Sequence, residues 1–543
     1  MPILRQHRDE AAPLAIAAAV LAAIAVRLWN LRGQVLGGDE LHAVATALNR
    51  PLEWILTTYS LADYSIPLTA AIRLWLARGG ALTEMGLRTP GLVCGAALVG
   101  LAGIAGRRAL GGAFGARFAW LVAFAPGLVL YSRIVRSYAP MVLLAIGAVI
   151  AAWRWIETRS HRAALGYVVL AALATWFHLG AGPFVVAPLL FAAALRLDAT
   201  RHPDAPTWRE IGALGAGVAA AFGLFLVPAR ASLLHLVTGV RNAEQPSLAT
   251  WGTVAKLQAG TPDAWLAIAI FTLAMLGLVS LYRARPRLAA YGATLVGAQI
   301  AGLLVLRPAY FEYSFILNRY LLPCSVVLLA WVAAGLGALA PSRPRVAVLA
   351  TTALLAISLA RGPFVAPAFL RGSFAHGNDA VSYEDGAQLR SDRALVPRFY
   401  ATAVAEGERG AVVEAPWHAW WQFSRLFVAD QAVHGKRVLV SGEIPGLRDP
   451  RIAFRNYVAP DAAALARADA DWVVVHLDLE AEQARIRGLP GSDTFGEVPA
   501  ATRTETWELL RGQAAEIAAR LESAWGPAEV AEPGLRAWRL PRP

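Results

Sequence analysis

Charged residues are scarce in this chain. They make up 16% of its 543 residues, whereas hydrophobic residues make up 57% and mean hydropathy is +0.47. Soluble globular proteins carry about 25% charged residues, so this composition excludes that class. Several apolar runs approach the roughly 18 to 20 residues that a membrane-spanning helix needs. We therefore expect a membrane protein.

Cysteine and acidic residues are also few. The two cysteines, Cys94 and Cys324, both fall in apolar runs, which argues against a disulfide framework and a cysteine-rich metal site. Fifty basic residues outnumber 38 acidic ones, for a net charge of +12. In a membrane protein this excess indicates basic cytoplasmic loops, and no basic–aromatic stretch indicates nucleic-acid binding. No Walker loop, GxSxG elbow or HExxH motif occurs in a usable context.

Apolar runs predict eleven membrane-spanning helices. They cover residues 11–28, 89–106, 114–131, 138–153, 163–178, 181–195, 211–228, 264–282, 288–306, 320–340 and 346–361. A further run, 66–77, would be about 18 Å long as a helix, too short for a hydrocarbon core of about 30 Å. Arg73 also interrupts it, so we expect an interfacial helix. We interpret the first run as an uncleaved span because many spans follow and Trp29 and Arg32 resemble an interfacial border.

The distribution of basic residues predicts the orientation. With the N-terminus in the cytoplasm, short cytoplasmic loops carry about 16 arginines and short external loops about 7 basic residues, the bias expected of the inner side. Counting 66–77 as a span would invert every later loop. Because 66–77 is not counted as a span, Asp39 and Glu40 lie outside, in a first external loop of about residues 29–88. Eleven spans also place the C-terminus outside.

The composition changes after about residue 361. The runs GAVVEAPWHAWWQF, KRVLVSG and DADWVVVHLDL have strand character, and residues 504–524 have helical character. The sequence therefore predicts two domains: a membrane domain, 1–361, and a soluble extracytoplasmic α/β domain, 362–543.

The first external loop carries candidate catalytic residues. Asp39 and Glu40 lie in the stretch GGDELHAV, which also contains His42, and Asp63 follows later. An acid here has two interpretations that the residues alone leave open. It is either a base that acts near a bound substrate or, for Asp39, the N-cap of a surface helix.

Arginines at predicted external span borders form a second group of candidates. Arg88 opens the second span, Arg136 lies in YSRIVRSYAP, and Arg319 with Tyr320 lies in NRYLLP. Interfacial snorkelling explains any one of them. Three such arginines on the face that carries the acidic pair indicate a site for a phosphate at headgroup depth.

Two histidines are further candidates. His178 closes the fifth predicted span and His235 lies in an external loop. Each is also explained as an ordinary interfacial residue. A site for a divalent metal ion stays open, although no paired ligand spacing supports one.

In order and spacing these elements resemble the GT-C glycosyltransferases, most closely the protein O-mannosyltransferases and lipid A aminoarabinose transferases. The resemblance spans about residues 14–340 and is carried by GGDE, DYSIPL, GLRTPGLVCGAALVGLAGIAGRRALGG, YSRIVRSYA and NRYLLP. It implies a polytopic α-helical membrane protein of the bacterial inner membrane. It also implies a polyprenyl-phosphate-linked sugar donor, a hydroxyl acceptor on a glycolipid, glycan or protein, and inversion at the anomeric carbon.

The resemblance also implies roles for individual residues. Asp39 matches the acid that acts as general base, and Glu40 fills the neighbouring acidic position. The residues that match elements serving the lipid phosphate, or the structure around it, are Arg88, Arg136, Tyr138, Arg319 and Tyr320. The candidates for binding an acceptor or a metal ion are His42, Asp63, His178 and His235. Relatives often have Asp-x-His-Pro-Pro where this chain has Asp63-Tyr64-Ser65-Ile66-Pro67, so a metal site is not implied.

Two other functions stay open. A transporter of lipid-linked glycans would need charges in mid-span or broken helices near the midplane, whereas the charges here collect at span borders. A non-catalytic scaffold would bind polysaccharide through Trp417, Trp420 and Trp421.

Overall fold

A computed structural model describes most of the chain before residue 366 and five parts of the region after it. The described residues are 2–31, 40, 43–44, 46–47, 50–59, 65–80, 84–233, 244–308, 310–339, 341, 343–365, 396–402, 411–416, 436–439, 470–486 and 500–540. Several predicted site residues lie outside them: Asp39, His42, Asp63, His235, Trp417, Trp420 and Trp421.

The chain divides into two compact units. The first comprises Met1–Leu28, Leu52–Ala71 and Thr89–Gly362, and the second comprises Trp29–Pro51, Ile72–Arg88 and Pro363–Pro543. A boundary falls next to the predicted one at residue 361. Two stretches of the predicted first external loop belong to the same unit as the C-terminal region.

Helices make up the described part of the chain up to residue 361. In chain order they are α1 (Pro2–Leu28), α2 (Leu52–Thr57), α3 (Ile66–Ala77), α4 (Glu84–Leu110), α5 (Gly112–Ala123), α6 (Pro126–Ser132), α7 (Tyr138–Thr158), α8 (His161–Phe177), α9 (Gly182–Leu197), α10 (Trp208–Leu226), α11 (Leu248–Ala259), α12 (Ala264–Ala284), α13 (Pro286–Leu306), α14 (Ser314–Tyr320), α15 (Leu322–Ala338) and α16 (Pro344–Arg361).

Each of the eleven predicted spans coincides with one of these helices or with a bent pair of them. Among the described residues, seven helices are long and apolar enough to cross a membrane, and nine spans result if each bent pair counts as one. The other two predicted spans correspond to α8, a shorter apolar helix, and α16. The protein is thus a polytopic helical membrane protein, while a total of eleven spans stays a prediction. The run at 66–77 forms the 12-residue helix α3, which is short as expected.

The two bends follow from proline. Helices α5 and α6 meet at 59°, and α14 and α15 meet at 73°. Pro126 begins α6 and Pro323 is the second residue of α15. A proline has no backbone N–H to donate to the preceding turn, so a new helix direction begins there at little cost.

Helices of the first unit pack closely where glycine faces a neighbouring backbone. A Cβ atom on Gly277 of α12 would lie 1.8 Å from the Trp331 carbonyl oxygen of α15, and one on Gly335 would lie 2.0 Å from the Leu273 carbonyl oxygen. Small residues at such crossings let membrane helices approach each other and gain dispersion contacts.

The described parts of the C-terminal region form a five-stranded sheet with the order β2-β1-β3-β5-β4. Its strands are β1 (Ala411–Ala415), β2 (Arg437–Leu439), β3 (Trp472–His476), β4 (Val530–Glu532) and β5 (Leu535–Arg539). Strand β1 pairs in parallel with β2 and β3, whereas β5 is antiparallel to β3 and β4. Helices α17 (Arg398–Thr402), α18 (Leu479–Ile486) and α19 (Ala500–Trp525) accompany it. The predicted α/β region is confirmed.

Candidate functional site

Aromatic and cationic side chains converge in the first unit, where several helices end. Tyr131 lies in the last turn of α6 and Tyr138 begins α7. Arg136 lies in the link between them, and His178 follows α8. Arg319 and Tyr320 close α14 at its bend. These six residues are called the aromatic–arginine cluster below, and all of them except Tyr131 were predicted site residues, although they lie far apart in sequence.

Both arginines of the cluster approach the same ring. The Arg136 Cζ atom lies 5.8 Å and the Arg319 Cζ atom 5.7 Å from the centroid of Tyr138. Arg319 also donates a hydrogen bond of 3.3 Å from Nε to the hydroxyl of Tyr131. Both side chains are buried, Arg136 with 9% and Arg319 with 5% of its surface exposed. Two guanidinium groups that share an aromatic neighbour can hold an anion such as a phosphate through charge-assisted hydrogen bonds.

His178 is a neutral member of the cluster. Its ring centroid lies 5.2 Å from that of Tyr138 and 5.3 Å from that of Tyr320. The backbone N–H of Gly180 donates to its Nδ1 over 3.1 Å, so Nδ1 carries a lone pair. The proton of the neutral ring is therefore on Nε2, and the imidazole offers a hydrogen-bond donor there.

Gly180 is needed for this contact. A Cβ atom at this position would lie 2.4 Å from the Tyr320 ring and 2.9 Å from the His178 Nδ1 atom. Only a residue without a side chain lets the backbone after α8 approach both rings.

Glu40 and Arg88 bind each other within the second unit. Arg88 donates from Nε to Glu40 Oε1 over 3.0 Å and from Nη2 to Oε2 over 2.9 Å. Both side chains are almost fully buried. Arg88 was predicted to serve the donor phosphate or the structure around it, and Glu40 to assist catalysis; both roles stay predictions. In the structure the two charged groups neutralise each other, because a buried carboxylate and a guanidinium gain most as a bidentate pair. The pair joins two parts of the chain that lie 48 residues apart.

Two further buried arginines were not predicted as structural. Arg27 donates from Nη1 to the carbonyl oxygens of Ala23 and Ala123, over 3.1 and 3.2 Å. Arg133 donates from Nη1 to the Val26 carbonyl oxygen over 3.2 Å. Val26 lies in the last turn of α1 and Ala123 is the last residue of α5, where backbone carbonyls lack intrahelical partners.

A second polar cluster, also not predicted, lies in the C-terminal sheet. His476 at the end of β3 contacts Glu414 Oε2 of β1 through Nε2 and Glu482 Oε2 of α18 through Nδ1, both at 2.8 Å. The hydroxyl of Tyr400 donates to the same Glu414 oxygen over 2.7 Å. These four residues are called the acidic cluster below. The sequence signal was Glu414 itself, a charge inside the apolar strand AVVEA.

The acidic cluster holds a charged histidine. Burial alone lowers the pKa of His476, but the carboxylates of Glu482 and Glu414 outweigh it and hold that pKa well above its ordinary value. Both ring nitrogens face carboxylate oxygens, which agrees with an imidazolium that donates twice. Within the residues that the structure describes, no group of three His, Cys, Asp or Glu side chains is arranged to hold a metal ion.

Comparison with known proteins gives matches among solved structures alone. No protein-family model matches the chain, and no curated protein does. The oligosaccharyltransferase AglB from Archaeoglobus fulgidus, in complex with an inhibitory peptide and a dolichol-phosphate, matches at 12% identity and TM-score 0.45, over 89% of this chain and 71% of that one. ArnT from Cupriavidus metallidurans, bound to undecaprenyl phosphate, matches at 12% identity and TM-score 0.47, over 87% of this chain and 94% of that one.

Both matched proteins are GT-C glycosyltransferases, the superfamily that the sequence resembles. With TM-scores below 0.5, however, the likeness decides neither the reaction nor the substrates of this chain. Those depend on the sequence motifs and on the chemistry of the aromatic–arginine cluster.

Proposed function

We propose that this protein is an inverting glycosyltransferase that moves a sugar from a polyprenyl-phosphate donor to a hydroxyl group. One observation carries the proposal: Arg136 and Arg319, remote in sequence, are buried around the same ring, Tyr138. Such a pair suits a phosphate, because each guanidinium offers a planar fork of N–H donors to two phosphate oxygens.

The two arginines also suit the chemical step. The donor is a phosphodiester with one negative charge, and breaking its bond to the anomeric carbon leaves a polyprenyl phosphate with two. Fixed guanidinium groups stabilise this developing charge, so the leaving group needs no proton. The Nε2–H group of neutral His178 is a further donor within the same cluster.

Asp39 is the proposed general base. It would accept the proton of the acceptor hydroxyl as that oxygen attacks the anomeric carbon from the side opposite the phosphate, which inverts the configuration. An aspartate with a pKa near its ordinary value of about 3.9 is ionised at neutral pH. Support comes from Asp39 being next in sequence to Glu40, which the buried pair with Arg88 anchors. Glu40 itself then orients the loop instead of carrying a proton.

The substrates are proposed at the level of class. The acceptor is a glycolipid, a glycan or a protein at the outer face of a bacterial inner membrane, with the N-terminus in the cytoplasm and the C-terminal region outside. The bias of arginines toward predicted cytoplasmic loops supports this orientation.

Binding of undecaprenyl phosphate to the full-length protein in nanodiscs tests the proposal. Arg136→Ala and Arg319→Ala should each weaken binding at least about 10-fold, because each removes charge-assisted hydrogen bonds to the phosphate. Lysine at either position should restore only part of it, since it lacks the bidentate fork. Arg307→Ala is the matched control, because Arg307 is exposed. Equal binding by wild type and both cluster variants would refute the proposal.

The reaction itself is tested in cells. Deleting the gene should remove one sugar mass from a class of envelope glycolipids, glycans or glycoproteins, and the Arg319→Ala gene should fail to restore it. The class that changes identifies the acceptor.

One observation favours a second candidate, a transporter of lipid-linked glycans. Two bent helix pairs, α5 with α6 and α14 with α15, resemble the broken helices that transporters use. A transporter would move the lipid-linked sugar across a vesicle membrane and leave the sugar–phosphate bond intact. Recovery of the unchanged donor after complete turnover would favour this candidate over a transferase.

A further inference from the structure

Two short interruptions of helical structure, called breaks here, bring the aromatic–arginine cluster together. One is the 3-10 turn Leu179–Ala181, which follows His178 and connects α8 to α9. The other is the 73° bend between α14 and α15, which follows Tyr320. A break leaves backbone carbonyls without their usual N–H partners, and in a membrane protein other groups must satisfy them.

Gln299 joins these two breaks. It lies in α13, a third helix, and its side chain is completely buried. Its Nε2 atom donates to the carbonyl oxygen of Gly180 and to that of Tyr320, each over 2.8 Å. One NH₂ group has two hydrogens, so both are used, and each holds one break.

The helix that carries Gln299 is itself closely packed. Gly302 follows on α13, and a Cβ atom there would lie 2.4 Å from the Pro183 side chain at the start of α9. This contact fixes the distance from α13 to the turn that contains Gly180. The close packing therefore helps to hold the Gln299 side chain within hydrogen-bonding distance of the Gly180 carbonyl.

A second amide holds the other side of the bend. Gln258, near the end of α11, donates from Nε2 to Asn318 Oδ1 over 2.7 Å. Its Oε1 atom accepts a hydrogen bond of 2.6 Å from the hydroxyl of Ser325. Asn318 belongs to α14 and Ser325 to α15, so Gln258 spans the bend while Gln299 ties it to the His178 turn.

We propose that Gln299 is a positioning residue for the phosphate site: by tying Gly180 to Tyr320, it sets the spacing between His178 and Arg319. This inference rests on the proposed function, because it assigns Gln299 to the same site. Gln299 does not touch the donor; it acts through the two helix breaks. A misplacement of about 1 Å in such a site costs up to about 100-fold in rate.

The test is the Gln299→Met variant of the full-length protein, which keeps the length and apolar volume of the side chain but has no donor. Gln245→Met is the matched control, since Gln245 is exposed. Three quantities are measured: the dissociation constant for undecaprenyl phosphate, KM and kcat for the lipid-linked donor, and the midpoint of thermal unfolding. Gln299→Asn, which withdraws the amide by one methylene, serves as the milder variant if Gln299→Met does not fold.

The expected result is about 10-fold weaker binding and a higher donor KM in Gln299→Met, beyond any change in Gln245→Met. A lower midpoint of unfolding with an unchanged dissociation constant and KM would make Gln299 a purely structural residue and overturn the inference. If Arg136→Ala and Arg319→Ala lose binding while the Gln299 variants keep it, this inference fails and the proposed function stands. If the arginine variants also bind like wild type, the proposed function fails and this inference fails with it.

Discussion

Two histidines of this protein occupy opposite electrostatic surroundings. His178 lies in an aromatic cluster with two arginines and accepts a hydrogen bond at Nδ1, so its ring is neutral. His476 lies between two glutamates and donates from both ring nitrogens. A histidine side chain is therefore an uncharged hydrogen-bond donor in the first unit and a cation in the C-terminal sheet. The partners decide the charge.

The surroundings also indicate different tasks. The aromatic–arginine cluster contains two positive side chains, which we propose bind an anionic ligand. The acidic cluster has two carboxylates and one imidazolium, and it joins α17, β1, β3 and α18 through its own hydrogen bonds. The first arrangement suits binding and chemistry, the second holds a fold together.

The largest effect is expected at Asp39. Asp39→Asn keeps the size of the side chain and most of its ability to cap a helix, so folding should survive. It removes the proposed proton acceptor, and loss of a general base costs about 10²–10⁴ in rate. The measurement is turnover of a purified lipid-linked donor, alongside thermal stability and membrane insertion. Glu40→Gln should reduce stability more than Asp39→Asn does. Near-normal turnover by a stable Asp39→Asn protein would remove Asp39 as the base.

The buried pair of Glu40 and Arg88 should matter for folding. Arg88→Met leaves the Glu40 carboxylate buried without its guanidinium, and breaking such a pair costs about 3–5 kcal/mol. Replacing both residues, as in Glu40→Leu with Arg88→Met, should restore part of the lost free energy of unfolding, because no buried charge is then left without its partner. Chemical unfolding of the four proteins of this cycle gives the coupling. A single variant as stable as wild type would mean that the pair does not contribute to folding.

The sequence predicted the helices and strands better than it predicted which side chains pair with each other. Runs of apolar residues located the helices, and short runs of strand character located β1, β2 and β3, because both signals are local. The pairing of Glu40 with Arg88 and of Glu414 with His476 joins residues that are 48 and 62 positions apart. Such pairings depend on how helices and strands pack, which no local pattern encodes. Arg136 and Arg319 were predicted because they lie at predicted external span borders, in motifs whose order and spacing resemble those of a known superfamily.

The acidic cluster should make the stability of the C-terminal sheet depend on pH. Because the pKa of His476 is raised in the folded protein, its contribution is fully present below the unfolded value of about 6.5. It is lost as pH rises from there through the folded pKa, at about 1.4 kcal/mol per pH unit. Hydrogen exchange of the β1 and β3 amides, corrected for the intrinsic effect of pH, should show this loss. In His476→Gln the slope should disappear.

His178 should contribute no such slope, since its ring is already neutral. The two regions can be compared within one molecule. Over the pH range in which β1 and β3 lose stability, hydrogen exchange at amides near Gly180 should report an unchanged local stability. Equal pH slopes in both regions would contradict the assigned charge states.

The smallest effect is expected at Gly180. Gly180→Ala adds a methyl group where a Cβ atom would lie 2.4 Å from the Tyr320 ring, so the ring must move away from His178. Overpacking of this kind costs about 1–3 kcal/mol, and part is relieved because Tyr320 can rotate. Gly182→Ala, two positions on, is the matched control, since a Cβ atom there meets nothing within 4 Å. Thermal unfolding and binding of undecaprenyl phosphate are compared for both variants. Only Gly180→Ala should weaken binding, because only it disturbs the contact between His178 and Tyr320; equal behaviour of the two variants would show that this contact is not part of the phosphate site.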